Sequence, residues 1–212
     1  MRLKSVELIS LFDFMRNGMN IKQDKSGDGI PITRIETISA GEVDPLRVGY
    51  AGIKASEAEK WFLEPGDILF SHINSVEHIG KCALYNGAPS PLIHGMNLLN
   101  LRPKKNALDP SYGKWLFRSS TFREKLMPFV NKAVNQASVS IGNLSSIEVK
   151  VPPPEEQKRI AAILDQADNL RCLRQRAMNR LNSLGQAVFY EMFGDPKSYK
   201  KDRLELLPES VI

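Results

Sequence analysis

The sequence predicts an α+β fold, in which a globular domain with a curled antiparallel sheet is followed by one long projecting α-helix. Residues 1–151 contain short apolar segments separated by turn residues and few helical patterns, which is typical of an α+β domain. Residues 155–193 contain no proline and one glycine, so they can form one helix about 58 Å long at ~1.5 Å per residue. A compact domain of the preceding length spans only roughly 30 Å. The predicted parts are therefore a domain at 1–151, a projecting helix at 152–196 and a tail at 197–212.

The domain's elements follow from local patterns. Alternation of apolar and polar residues predicts a half-buried strand at 30–38. Pro65, Gly66 and Asp67 have turn chemistry and precede a buried strand that starts at residue 68. The remaining patterns predict two short strands, one or two helices that open on an Asp-Pro pair, and a final strand, at residues 82–85, 98–101, 109–130 and 144–151.

The long helix has recognisable ends and an apolar seam. Three prolines at 152–154 suit its first turn, and Glu155 and Glu156 face the positive end of the helix dipole. Gly194 followed by Pro196 predicts its end. Heptad counting predicts that a partner helix packs on Ile160, Ile163, Ala167, Leu170, Ala177, Leu181, Leu184 and Val188, and we add Leu173, which lies beside a seam position.

The apolar seam does not identify the partner helix. Arg174 at a central seam position weakens a simple two-stranded coil, although Leu173 beside it could take over the packing. The partner helix can come from a second copy, from another part of a larger chain or from another protein. Because the seam is too extended for the chain's own domain to cover, we expect a symmetric homodimer through antiparallel helices.

Composition bounds the class of protein. The 212 residues carry a net charge of +5, which permits nucleic acid as a partner without requiring it. The sequence has neither an apolar run of ~18 residues that could cross a membrane nor a secretory signal pattern. We therefore expect a cytoplasmic protein, with no membrane contact, in which Cys82 and Cys172 are free thiols.

Enzyme signatures are absent or incomplete. There is no phosphate-binding GxxxxGK[ST] loop and no GxGxxG motif, so no cofactor is predicted. Residues 108–112 (LDPSY) depart from the amino-methyltransferase motif at Ser111. Glu148 and Lys150 have the Glu-x-Lys form of metal-dependent nucleases, but an ordinary strand with alternating exposure explains them equally. The spacing fits no tight zinc-ligand pair among the four candidates by residue type, His72, His78, Cys82 and His94.

Polar side chains gather in three turn-rich segments and suit DNA. Asn and Gln can pair with adenine, and Lys with phosphate or guanine. Solvent-facing loops of any domain have a similar composition, so the polar segments alone do not establish DNA binding. The predicted DNA contacts are Lys22, Arg34, His72, Asn74, Ser75, His78, Lys81, His94, Asn97, Asn135, Gln136 and Ser138.

An ordered series of motifs runs from about Gly29 to Pro196. It consists of GDILF, SHINSVEHIGK, HGMN, NQAS, VPPPEEQKRIAAIL and EMFGDP, at residues 66–70, 71–81, 94–97, 135–138, 151–164 and 191–196. This series resembles the DNA-specificity subunits of type I restriction-modification enzymes. The resemblance implies a target recognition domain at 1–151 and a spacer helix at 152–196.

The resemblance implies a non-catalytic subunit that reads double-stranded DNA. Separate methyltransferase subunits, and through them the restriction subunit, would be its partners. Members of the family usually carry two recognition domains whose helices pair antiparallel, whereas this sequence stops soon after Pro196. The expectation is therefore a half-length form, either natural or truncated, that homodimerises. The alternative is a coiled-coil protein-interaction adaptor without DNA binding.

Overall fold

The structure, a computed structural model, describes residues 3–24, 27–134 and 136–194. The strands found there are β1 (Lys4–Glu7), β2 (Phe12–Asn17), β3 (Ile30–Thr33), β4 (Val48–Ala51), β5 (Ile68–Ser71), β6 (Ile73–Asn74), β7 (Cys82–Leu84), β8 (Leu98–Pro103), β9 (Asn131–Ala133), β10 (Gln136–Ser138) and β11 (Glu148–Val151). The helices are α1 (Ala55–Ala58), α2 (Pro110–Arg118), α3 (Ser120–Leu126), α4 (Ile141–Ser145) and α5 (Pro154–Phe193).

The strands form four small antiparallel sheets. The largest has the order β2-β8-β5-β7, and β6, β10 and β9 form a three-stranded sheet. The other two are the pairs β1-β11 and β3-β4. In the three-stranded sheet, Ala137 is opposite Asn74 and Ser138 is opposite Ile73. The α+β class with antiparallel sheets is confirmed, but the strands are divided among several sheets rather than gathered in a single curled one.

Aromatic side chains fill the space between the largest sheet and helices α2 and α3. The ring of Phe117 on α2 lies 5.1 Å from that of Phe70 on β5 and 4.9 Å from that of Phe122 on α3. All three side chains are buried. The carboxylate of Asp109 caps α2 by accepting a 3.0 Å hydrogen bond from the backbone N–H of Tyr112, so the predicted Asp-Pro helix start is confirmed.

A buried ion pair joins the turn before β5 to β8. Arg102 donates from Nε and Nη2 to the two carboxylate oxygens of Asp67, each at 2.8 Å. Asn100 and the backbone N–H of Glu64 donate to the same carboxylate at 2.9 Å. The hydrogen bonds to Asp67 raise the pKa of Arg102 above its ordinary value. Asp67 is 1% exposed, and its carboxylate accepts hydrogen bonds from Glu64, Asn100 and Arg102. These bonds anchor the turn that was predicted from Pro65, Gly66 and Asp67.

The long helix predicted from the sequence is confirmed as α5. It runs for 40 residues without interruption, with Glu155 and Glu156 in its first turn. Gly194 follows it with a positive φ of 74°, and its N–H donates to the carbonyl of Tyr190 at 2.9 Å. This αL conformation is the usual end of a helix at a glycine.

One buried side chain attaches the start of α5 to the rest of the domain. Gln157 is 1% exposed. Its Oε1 accepts a 2.8 Å hydrogen bond from the backbone N–H of Asp109, and its Nε2 donates to the carbonyls of Ala107 and Pro152 at 3.0 and 2.9 Å. Every partner is a backbone group, so the contact requires the glutamine amide and a fixed backbone path, but no particular side chain opposite it.

The chain divides into two compact units, Met1–Leu164 and Asp165–Ile212. The division falls inside α5, whereas the predicted boundary lies at the start of the helix. The buried Gln157 and Ala161 explain why the first turns of α5 belong to the globular unit. Among the described residues, none of the helices combines the length and the apolar character that crossing a lipid bilayer requires.

Two predicted strands are partly wrong. The strand expected at 30–38 ends at Thr33, and a 3-10 turn at Ile35–Ile38 follows. The reason is the buried hydroxyl of Thr37, which accepts from the N–H of Arg34 at 2.8 Å and donates to the carbonyl of Arg47 at 2.5 Å. These local bonds compete with a sheet ladder.

The strand expected at 144–151 also begins late. Its first part belongs to α4, whose N-cap Ser140 accepts from the N–H of Asn143 at 3.1 Å. Along β11 the predicted alternation is present, since Val149 and Val151 are buried and the residues between and before them are exposed. Glu148 and Lys150 therefore occupy the solvent side of an ordinary edge strand.

Candidate nucleic-acid interface

The loop at residues 94–97 is held by a buried histidine. The carbonyl of Trp61 accepts from the backbone N–H of His94 at 3.2 Å and lies 3.0 Å from its Nδ1, so Nδ1 carries the proton. Burial lowers the pKa of His94, which keeps the ring neutral. The side chain is 0% exposed and cannot reach a base. The prediction that His94 contacts DNA is therefore wrong, and the residue supports the loop instead.

Two glycines let neighbouring segments pack directly on this loop. A Cβ on Gly18 would lie 2.0 Å from the carbonyl oxygen of Gly95, a distance that no other residue tolerates. Met19 donates from its backbone to His94 at 2.8 Å, and Gly95 donates to the hydroxyl of Thr33 at 3.0 Å. These contacts thus hold the loop in place, and of the residues that follow Gly95, Met96 is exposed and Asn97 is partly exposed.

His72 connects the 94–97 loop to the three-stranded sheet. Its ring contacts the backbone of Asn97, and burial lowers its pKa to about 4. Its carbonyl accepts from the N–H of Val139, directly after β10, at 2.9 Å. His72 is 7% exposed, and its Nδ1 has no hydrogen-bond partner among the described residues. The base contact predicted for His72 stays a prediction, and in the structure the side chain is almost entirely buried between the two segments.

The three-stranded sheet brings together polar residues from two distant segments. Asn74 on β6 lies beside β10, which carries the exposed Gln136 and the partly exposed Ser138. The amide of Asn74 is fixed, since Nδ2 donates to the hydroxyl of Ser71 at 3.0 Å and Oδ1 accepts from the N–H of Ser75 at 2.8 Å. The predicted contact Asn135 lies outside the described residues.

A second polar group lies beside β4. The side-chain amide of Gln23 reaches between two glycines: a Cβ on Gly49 would be 2.8 Å from its Oε1, and a Cβ on Gly95 would be 2.8 Å from its Nε2. The Cδ of Arg34 would lie 3.3 Å from the same Cβ on Gly49. Lys22, the neighbour of Gln23, is exposed. The structure thus places two predicted residues, Lys22 and Arg34, near the 94–97 loop.

The remaining predicted residues lie along the next loop. The carbonyl of Ser75 accepts from the N–H of the exposed His78 at 3.0 Å. Lys81 donates to the carbonyl of Ser39 at 3.4 Å. The guanidinium of Arg123 on α3 donates to this loop at two carbonyls, at 3.0 and 3.2 Å. Helix α3 therefore holds this loop at Val76 and Ile79, while Lys81 contacts the segment at Ser39.

Among the described residues, the structure gives no support to zinc binding as an alternative role for the histidines. Cys82 is buried, and desolvation raises the pKa of its thiol to about 11, far from the thiolate that zinc needs. Within residues 3–24, 27–134 and 136–194, no three His, Cys, Asp or Glu side chains come close enough together to hold a metal ion.

Sequence reasoning missed three residues of this region. Gln23 is part of a polar run that reads as an ordinary loop, and only the packing on Gly49 and Gly95 shows that its amide is held. Val134, between β9 and β10, leaves 92% of its surface in solvent, and Lys132 on β9 is exposed beside it. The available signal for Val134 was an apolar residue inside a polar stretch.

These contacts define a continuous region, which we call the polar loop region. It runs from the segment beside β4 through the 94–97 loop and His72 to the three-stranded sheet. Its surface members are Lys22, Gln23, Arg34, Asn74, Met96, Asn97, Lys132, Val134, Gln136 and Ser138.

The helix seam is a second candidate surface. In the described chain, Ile160 is half-buried and Leu173 is 59% exposed. Large apolar side chains continue along the helix with between 44% and 67% of their surface in solvent, at Ile163, Leu170, Leu181, Leu184 and Val188. Ala167 and Ala177 are also exposed. All the predicted seam residues after Ile160 are thus available for contact in a single chain.

Comparison with known proteins identifies the family. The family model of the type I restriction modification DNA specificity domain matches residues 3–183. The chain belongs to this family. A putative type I restriction enzyme MjaX specificity subunit of Methanocaldococcus jannaschii is 42% identical over 208 residues, which are 96% of this chain and 49% of the relative. The EcoKI specificity subunit of Escherichia coli is 31% identical over 196 residues, 90% of this chain and 42% of that one.

Solved structures show the same fold. The HsdS subunit of Thermoanaerobacter tengcongensis matches with a TM-score of 0.56 at 22% identity, over 91% of this chain and 45% of that chain. The S subunit of M. genitalium matches with a TM-score of 0.56 at 16% identity, over 90% and 48%. This specificity-family chain spans about half the length of the curated relatives it matches.

Proposed function

We propose that this chain is a non-catalytic, sequence-specific DNA-binding module of a type I restriction-modification system. The observation that carries the proposal is the polar loop region, in which separate chain segments that are joined through the 94–97 loop and His72 carry amides and basic groups. Such groups suit base edges and phosphates. The relatives, which are named specificity subunits, support the same assignment.

Within this proposal the residues have different tasks. The amides of Asn74, Asn97 and Gln136 are suited to base edges, and Lys22 and Arg34 are suited to phosphates. His72 and His94 position the loops from beneath. The amide of Asn74 is already fixed by two hydrogen bonds, which lowers the entropy that binding would cost.

The test combines site selection with a salt titration. Duplexes selected from random DNA give the preferred site, and affinity for it should fall steeply as salt rises, because phosphate neutralisation releases counterions. Asn74→Ala or Asn97→Ala should cost roughly 1–3 kcal/mol on the preferred site and little on random DNA. Gln186→Ala, on the exposed helix, is the matched control. Binding that is absent or insensitive to salt would instead favour the adaptor without DNA contact.

We further propose that the chain directs separate methyltransferase subunits, and through them a restriction subunit, to the selected site. The modification subunits should methylate a duplex that carries the site only when the chain is added. Methylation of the same duplex by modification subunits alone would contradict this role, and DNA cleavage by the chain alone would contradict a non-catalytic subunit.

The apolar seam supports a homodimer through antiparallel helices. Large apolar side chains at heptad spacing, each about half or more exposed, match a surface that another helix covers. Light scattering should give the mass of two chains at tens of micromolar. Leu170→Glu should give monomers, whereas Gln186→Glu, away from the seam, should leave the mass unchanged. A wild-type monomer with an intact helix would refute the dimer.

A further inference from the structure

We propose that Gln23 is a specificity-determining residue, whose side-chain amide pairs with an adenine edge in the target DNA. The inference rests on the proposed DNA-reading function and adds to it a residue that the sequence pattern did not single out. A carboxamide presents a donor and an acceptor in one plane, which matches the N6 and N7 positions of adenine in the major groove.

The amide of Gln23 is held in one place by its surroundings. Gly49 and Gly95 flank it so closely that a Cβ on either would approach Oε1 or Nε2 to 2.8 Å. The backbone on both sides is fixed. Gly49 lies in β4 and is buried, and the neighbour of Gln23, Asp24, exchanges backbone hydrogen bonds with Tyr50 at 3.0 and 3.1 Å.

The hydrogen-bonding groups of this amide remain available. Gln23 is partly exposed, and its side chain makes no hydrogen bond within the part of the chain that the structure describes. A glutamine that only supported the fold would be expected to bond to the backbone, as Gln157 does at three atoms. An amide that is sterically confined but unpaired is ready for a ligand edge, and confinement reduces the entropy lost on binding.

The neighbours of Gln23 suit a DNA ligand. Lys22 is exposed next to it, and the Cδ of Arg34 lies on the same side of Gly49. Two residues beyond Gly95 is Asn97, whose side chain is predicted to read a base. Basic groups suited to phosphates thus occur close in the fold or in sequence to an amide suited to a base, which is the usual division of contacts in a DNA interface.

The experiment compares variants of the full chain on the site that the wild-type protein selects. Gln23→Ala should weaken binding to that site by roughly 5- to 140-fold and leave binding to random duplex unchanged. With each base pair substituted in turn, the variant should lose discrimination at a single A·T pair. Gln186→Ala should behave as wild type at every position.

Two further variants separate base reading from a structural role. Gln23→Glu presents only acceptors, so preference at that position should move from adenine to cytosine, whose N4 amino group is a donor. Gly49→Ala displaces the amide without removing it and should weaken discrimination at the same base pair. A damaged fold cannot produce a change of preferred base.

The outcomes distinguish this inference from the function on which it rests. A wild-type protein that selects no sequence overturns both. A wild-type protein that selects a site, together with Gln23→Ala and Gln23→Glu variants that keep the full preference at every position, overturns the role of Gln23 alone. Equal weakening on all sequences would assign Gln23 to backbone contact and also overturn it.

Discussion

The start of α5 depends on Gln157, and its replacement by leucine should destabilise the globular unit. The variant Gln157→Leu keeps a similar volume but removes the acceptor for the N–H of Asp109 and the donors for the carbonyls of Ala107 and Pro152. Each buried backbone group left unpaired costs roughly 1–3 kcal/mol. At the lower end of that range the free energy of unfolding should fall by about 3 kcal/mol.

The assay can follow the globular unit alone. The chain has two tryptophans, Trp61 and Trp115, and both lie in Met1–Leu164. Their fluorescence during thermal unfolding should show a midpoint lowered by roughly 6–12 °C, since each kcal/mol is worth about 2–4 °C in a unit of this size. The exposed control Gln166→Leu should change stability by less than about 0.5 kcal/mol.

A glutamate at the same position gives a sharper version of the test. In Gln157→Glu the carboxylate can still accept from the N–H of Asp109, but it faces the carbonyls of Ala107 and Pro152 without a proton to donate. Its pKa should rise, so this variant should gain stability relative to wild type as the pH falls. Equal unfolding midpoints for Gln157→Leu, Gln166→Leu and wild type would refute the reasoning.

Three other predictions follow from the ion pair, the buried histidine and the helix. Asp67→Ala leaves the partly buried Arg102 without its main partner and should lower the free energy of unfolding by about 3–5 kcal/mol. Glu64→Gln removes the charge of an exposed partner of the same guanidinium and should lower it by less than about 1 kcal/mol. Urea unfolding measures both values, and equal values would contradict the role of Asp67 as the main partner. Because the folded pKa of His72 is about 4 against an ordinary 6.5, stability should decline by up to about 3 kcal/mol as the pH falls from 6.5 to 4, and His72→Gln should flatten this decline in unfolding curves recorded across that range. Two identical chains in the proposed antiparallel dimer would read identical half-sites, so the site selected from random DNA should be an interrupted palindrome. Seven residues inserted after Ala177 lengthen each helix by ~10 Å, so about three base pairs should be added between the half-sites. An unchanged spacer would show that helix length does not set the spacing.

The sequence predicted the elements that local chemistry determines. The long helix, its end at Gly194, the turn at Asp67 and the helix start at Asp109 each depend on residues that are neighbours in the chain. Each of these predictions is confirmed. They could be made from the sequence because capping, turn and dipole effects act over a few neighbouring residues.

Contacts between segments that are far apart in the chain could not be predicted from the sequence. Histidines in a polar stretch look exposed, yet His72 and His94 are buried because the chain at Trp61, Asn97 and Val139 closes over them or bonds to their backbone. Gln23 and Gln157 looked like ordinary polar residues for the same reason. Whether an amide is confined by glycines or bonded to backbone groups depends on segments that lie far away in the sequence.

The way Gln157 makes its contacts has a consequence for exchanging parts between members of this family. All its partners are main-chain atoms, at Ala107, Asp109 and Pro152, so these hydrogen bonds do not depend on which side chains the domain carries. A foreign domain grafted ahead of Pro152 should seat on this helix wherever its backbone follows the same path. The three hydrogen bonds of Gln157 would therefore let domains with different surface residues join the same helix without a change in the helix sequence.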